Sequence, residues 1–322
     1  MAIHDLGYRS WVGDRTKSWS RPLFIATSGV TLVWRRRWLR LMLMLAWLPI
    51  FVPALGIFAF EYSSSEPEML QVVINLVGGP LQRPDLAVQL MTDREGARHE
   101  VWTLLIMAFF RYPQLSAMVL LVGLIAPMLI SYDLRSRAYL LYFSRPLNAV
   151  HYMVGKAMVV WFFLSMIVTV PALTLYLIGV MLSPDLSVVS LTWDIPVRIV
   201  AASVALIVPT TILAMCYSAH TSESRYASFS WFATWILGFV AYQILTYMGT
   251  EFGRGRRGGG LDIDFDRWRL LSPYHALGKV EAWIFGLDPT PGSVIPTLLM
   301  LVGVTIMGVF LIRRRLLALL SV

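Results

Sequence analysis

Six apolar runs, separated by polar and basic stretches, set the plan of the chain. They fall at about residues 39–60, 114–130, 157–182, 199–217, 226–248 and 294–312. A helix rises about 1.5 Å per residue, so roughly 20 apolar residues cross a hydrocarbon core of about 30 Å. The first run, Leu39 to Phe60, has 22 residues, and Pro49 and Pro53 predict a kink in it. Pro127 sits near the end of the second run and Pro171 mid-way along the third. Val101 to Phe110 is also apolar, but ten residues are too few to span, and Arg111-Tyr112-Pro113 closes it. It reads as an interfacial helix or as an extension of the next span. The pattern predicts an all-α polytopic membrane protein with six transmembrane helices and interfacial amphipathic helices on both faces.

Residues 1–38 are polar and basic, and 21–38 read as an amphipathic elbow ending in Arg35-Arg36-Arg37. The start has no apolar run of the signal-peptide kind, so the first span is expected to act as an uncleaved anchor. The six-span domain then covers 39–322, with two large loops on the far side, 61–112 and 249–293. In the first, Glu66 to Val77 and Pro84 to Thr92 predict short helices broken at Gly78-Gly79-Pro80. The second opens on a Gly/Arg stretch and continues as amphipathic helices on the membrane surface.

Charge orients this plan. The net +8 is divided unequally: the termini, the 131–156 loop and the 219–225 turn carry 16 Lys and Arg against 4 Asp and Glu. That side is therefore +12 and the other −4. Lys and Arg favour the cytoplasmic side, so both termini are expected in the cytoplasm of a cell-membrane protein. The basic balance thus reflects topology, and no nucleic-acid partner is implied.

The loop Ser131–Lys156 stands out. It holds Asp133, Arg135, Arg137, Arg145 and Lys156, yet keeps an apolar stripe: Leu134, Leu141 beside Tyr139 and Tyr142, then Leu147 and Val150. The spacing predicts one amphipathic helix at the membrane surface, a turn at Arg145-Pro146 and a second helix start.

The order Asp133-Leu134-Arg135, Ser144-Arg145-Pro146-Leu147-Asn148, then Tyr152, Gly155 and Lys156, resembles the cytoplasmic segment after the second span of exporter-type (type-2) ABC transporter permeases. Arg137 stands where that pattern commonly has glycine, and His151 where it commonly has an acidic residue. The resemblance implies that Asp133, Leu134, Arg135, Arg137, Tyr139, Ser144, Arg145, Pro146 and Leu147 form a coupling helix seated on a separate ABC ATPase subunit. It implies a dimer with a second copy or a similar permease, with ATP and magnesium on the ATPase. It also implies export along a path between the copies, lined by the second and fifth spans.

The chain itself has no cofactor motif. No G-x-x-x-x-G-K-[ST], H-E-x-x-H, C-x-x-C or G-x-S-x-G occurs. Five dispersed histidines give no metal-ligand spacing. The chain is thus expected not to be an enzyme. The spans carry no charge mid-way; Thr234, Gln243 and Thr246, with Pro127 as a hinge, are the candidates for a substrate path. That mild polarity fits a lipid-like, amphiphilic or bulky substrate surrounded by membrane lipids. Two alternatives stay open. One is an anchor that passes ATPase motion to an outer-face protein. The other is a lipid-modifying enzyme using His99, Glu100 and Asp262, Asp264 and Asp266.

Overall fold

The computed structural model describes residues 20–63, 67–81, 83–113, 117–140, 147–255, 265–288 and 291–320. The chain is an all-α, multi-pass membrane protein, and no strand occurs among the described residues. Among the described residues, five helical stretches are long and apolar enough to cross a bilayer: Arg37–Tyr62, Ala149–Leu182, Val188–His220, Ser224–Tyr247 and Gly292–Ala318. Each contains or overlaps one of the expected runs.

The first stretch joins α2 (Arg37–Leu45) to α3 (Phe51–Tyr62) through a 3-10 turn at Leu48–Ile50. Pro49 lies in that turn, where the α-helical run is interrupted, while Pro53 lies within the first turn of α3. Before it, α1 (Arg21–Trp34) packs along α9 (Ala149–Leu164). Two small residues allow the approach. A Cβ on Gly155 would lie 2.7 Å from Ile25 Cβ and 2.9 Å from the Pro22 carbonyl oxygen. One on Gly29 would lie 2.6 Å from Val159 Cγ2. Trp34 then stacks on Phe163, so α1 follows α9 for most of its length.

In the first large loop, α4 (Pro67–Gly78) and α5 (Pro84–Thr92) form where the sequence places helices. The apolar run 101–110 belongs to α6 (Arg94–Pro113). Val101, Trp102, Leu104, Leu105, Ile106, Phe109 and Phe110 are all buried. A helix covered on that many sides does not lie at an interface with one face in lipid. It packs on α3, α5 and the 3-10 turn, while α7 (Val119–Leu129) packs lower, between two later helices. α6 and α7 are thus both covered by protein, each against different neighbours. The expected span 114–130 begins in residues outside the described set, and its described part is almost wholly buried.

After α7 come α8 (Ser131–Arg135) and then α9, which continues through a π-helical segment, Ser165–Thr169, into α10 (Val170–Leu182). Pro171 has no N–H for the Ile167 carbonyl, and the widened turn lies directly before it. The short α11 (Val188–Thr192) leads into α12 (Asp194–His220), and a tight turn into α13 (Ser224–Gly255). The second large loop contains α14 (Phe265–Trp268) and α15 (Pro273–Ile284), and α16 (Pro291–Leu320) closes the chain. Of the amphipathic helices expected in this loop, α15 is the one with the most protein around it. α15 is wedged among α12, α13 and α16, burying Tyr274, Ala276, Leu277, Val280 and Glu281.

Candidate partner-docking site

The site is built on a helix end that contains a proline. Pro127 interrupts the α7 ladder and leaves the Gly123 carbonyl without its donor four residues on. The Ser228 hydroxyl of α13 donates to that carbonyl at 2.8 Å. The Trp231 indole N–H donates to the Val119 carbonyl at 2.8 Å, and the Ser224 hydroxyl to the Pro127 carbonyl at 3.4 Å. On the α12 side, the Ser218 hydroxyl donates to the Ala126 carbonyl at 3.0 Å and accepts from the Ser131 N–H at 3.0 Å. Four carbonyls of α7 are thus each held by a neighbour's side chain. A Cβ on Gly123 would lie 2.6 Å from Trp231 and Phe232, so glycine is what lets α13 come this close. Pro127 is buried, and the carbonyls on and beside it are held by Ser224 and Ser218.

From this base the chain makes one turn of α8, and Asp133 points inward. Its carboxylate receives Lys156 Nζ at 2.7 Å and the Tyr152 hydroxyl at 2.7 Å. Asp133 and Lys156 are 6% and 5% exposed, so this is a buried ion pair with a hydrogen-bonded third member. Tyr152 and Lys156, four residues apart on α9, share the face that meets α8. The Asp133 carboxylate is therefore engaged inside the protein. It ties the loop to the foot of α9 and is not presented to a partner.

The single surface helix expected from Asp133 to Asn148 is interrupted. Arg137 has φ +53°, the only positive value at a non-glycine among the described residues. A left-handed residue cannot lie inside a right-handed helix, so α8 stops there, with Ala138 N–H donating to the Asp133 carbonyl at 3.0 Å. The pattern that this loop resembles commonly has glycine at this position, and the backbone has the conformation glycine adopts freely. Arg137→Gly is accordingly expected to stabilise the purified protein by about 1 kcal/mol, read as a raised midpoint of thermal unfolding. Arg137→Val should lower it.

Arg135 is exposed and lies 3.4 Å from Glu223 in the α12–α13 turn; Arg137 is exposed; Leu134, Tyr139 and Leu147 are half-buried. Ser144, Arg145 and Pro146 lie outside the described residues. The path candidates do not converge. Pro127 is at the α8 end, Thr234 hydrogen-bonds Tyr217 at 2.6 Å, Gln243 is exposed, and the Thr246 hydroxyl is buried. Sequence reasoning missed Ser218, Ser224, Ser228 and Trp231. The last three recur at i, i+4 and i+7, one face of α13, which is the signal that marks them.

At the opposite end, polar groups pair with each other. Glu61 accepts from Arg98 Nε at 3.1 Å and from the Trp102 indole at 3.1 Å, and Arg94 donates to the Phe60 carbonyl at 2.8 Å. His99 lies 2.9 Å from Asp194, which also takes Arg198 at 2.8 Å. Glu100 is bound to Arg83. The Arg83 guanidinium also holds the exposed Asp85 carboxyl down at about 2. The groups suggested for an enzyme, His99 and Glu100, are thus turned to separate ion-pair partners. Asp262 and Asp264 lie outside the described residues, and the side chain of Asp266 is not described. No group of three or more metal-ligating side chains occurs among the described residues.

Comparison with models of known protein families finds no match. No curated protein matches the chain either.

Proposed function

We propose that this chain is the membrane-spanning subunit of an ATP-driven exporter, working as a dimer with a separate ATPase and moving a lipid-like, amphiphilic or bulky substrate outward. One observation carries the proposal. Asp133, Tyr152 and Lys156, which the resemblance singles out along the sequence, meet in space and lock the 131–140 segment to the foot of α9, with Arg135 and Arg137 facing solvent. A push on that segment is then delivered to α9 through the ion pair and to α12 and α13 through the serine contacts. Pro127 is clamped, so the π segment before Pro171 is the better place for a hinge. ATP and magnesium belong on the ATPase.

The topology proposed is six crossings, counting α6 and α7 as one, with both termini and the 131–140 segment in the cytoplasm of the cell membrane. With Cys216 replaced, a cysteine at the exposed Met91 is expected to react with an impermeant thiol reagent on intact cells, and one at the exposed Leu140 only after lysis. Labelling of position 140 from outside would overturn the orientation.

The functional test is charge reversal. Arg135→Glu and Arg145→Glu are expected to lower capture of the ATPase at least tenfold, or to uncouple hydrolysis from substrate, while membrane insertion is retained. Arg256→Glu, in the far loop, should leave capture unchanged. Normal binding and coupling in both Arg variants would remove the physical support for the proposal. A second reading, transmission of motion to an outer-face protein, is favoured by the folded α4–α5 layer, which exposes Val72, Val88 and Met91. ATPase coupling without substrate movement in proteoliposomes would select it.

A further inference from the structure

The 131–140 segment does not stand alone at its end of the molecule. The α12–α13 turn lies beside it, joined through Ser131 to the Ser218 carbonyl at 2.9 Å and through Arg135 to Glu223 at 3.4 Å. Tyr132 and Tyr226 are 57% and 67% exposed, and Arg135, Arg137 and Arg225 are exposed around them. Asp133 is neutralised internally and Glu223 is shared with Arg135, so the patch is basic. Tyrosine and arginine are the residues enriched where proteins bind proteins.

Two helical rulers place this patch clear of the bilayer. Exposed tryptophans gather at membrane edges. Trp161 is exposed, as is Trp34, which stacks on Phe163 two residues along α9, and Trp193 is exposed at the start of α12. From Trp161 down to Lys156 is five residues of α9, about 7.5 Å. From Trp193 to Ser218 is 25 residues, roughly 37 Å, which exceeds a hydrocarbon core of about 30 Å by some 7 Å. Both rulers put the Asp133 triad and Ser218 about 7 Å beyond the core, the depth of a headgroup layer, and the two turns lie further out still.

We propose that the α12–α13 turn, through Arg225 and Tyr226, and the α8 turn, through Tyr132, Arg135 and Arg137, form one docking surface for an acidic face of a soluble protein. The identity of that protein as the ATPase rests on the reading above; the surface itself does not. The test is photo-crosslinking of the full chain in its native membrane. Benzoylphenylalanine is placed at Tyr132, at Tyr226 and, as a lipid-facing control, at the exposed Leu237 of α13. Adducts are identified by mass spectrometry, with and without Arg225→Glu.

The expected result is one soluble P-loop protein crosslinked from 132 and 226 but not from 237. Arg225→Glu should reduce the yield at both positions at least fivefold. Crosslinking from 132 alone, insensitive to Arg225→Glu, overturns the shared surface and leaves the exporter reading standing. A single soluble protein without a P-loop, crosslinked from both positions and sensitive to Arg225→Glu, supports the surface and overturns the exporter reading. Lipid adducts alone, or equal yields at all three positions, overturn the surface.

Discussion

Lys156→Met is expected to destabilise the protein by about 3–5 kcal/mol, because it strands the buried carboxylate of Asp133. Asp133→Leu should cost a similar amount by stranding the ammonium. Together they should cost far less than their sum, since a buried pair replaced by apolar groups of similar volume is often neutral or better. Tyr152→Phe removes one hydrogen bond to a charged group and should cost about 1.5–3 kcal/mol. The measurement is thermal unfolding of the purified full chain in detergent, followed by tryptophan fluorescence. If the double variant loses the sum of the singles, the two charges do not act as a pair, and α8 is not tied to α9 in the way described.

Glu61→Ala is the second large effect. Its carboxylate is 4% exposed and accepts two bonds from Arg98 and one from Trp102. Removing it leaves a guanidinium and an indole N–H facing a void at the top of α3. The expected loss is about 3–5 kcal/mol, and Trp102→Phe, which removes a single donor, should cost about 1.5–3 kcal/mol. Arg98→Met combined with Glu61→Met should recover most of the loss. The two ion pairs occupy opposite ends of the bundle, so Glu61→Ala and Lys156→Met should add within about 0.5 kcal/mol. A strong departure from additivity in the same unfolding experiment would show that the ends are coupled through the helices.

The apolar runs were legible because a bilayer fixes how long such a run must be, and Pro49 announced the 3-10 turn that separates α2 from α3. The burial of α6 was harder to see. Arg111 reads along the sequence as a stop, but in the fold it lies over the Tyr274 ring at 4.2 Å and donates to the Tyr274 carbonyl at 3.3 Å. The charge is accommodated inside the protein by a helix more than 160 residues away, which no local window contains. The neighbours of α15 were hidden for the same reason: its amphipathic pattern shows that one face is covered, not whether lipid or protein covers it. At the candidate site, the sequence marked Asp133, Tyr152 and Lys156 but could not join them. Asp133 looked like a group for a partner because nothing in its neighbours shows that it turns inward. The left-handed backbone at Arg137 is invisible in the residue itself, since arginine has no preference for it.

The side chains that hold α7 also bear on how the protein is made. Ser228 follows Gly123 by 105 residues and Trp231 follows Val119 by 112. While the chain is being synthesised, α7 therefore enters the membrane long before its carbonyl partners exist. Pro127 frees the Gly123 carbonyl, and a freed carbonyl away from water costs several kcal/mol, so at that stage α7 lacks what later satisfies it. Its final seat is available only once α12 and α13 have been made. Biogenesis thus acquires an order: α7 comes first along the chain, and the pair of helices that holds it comes later.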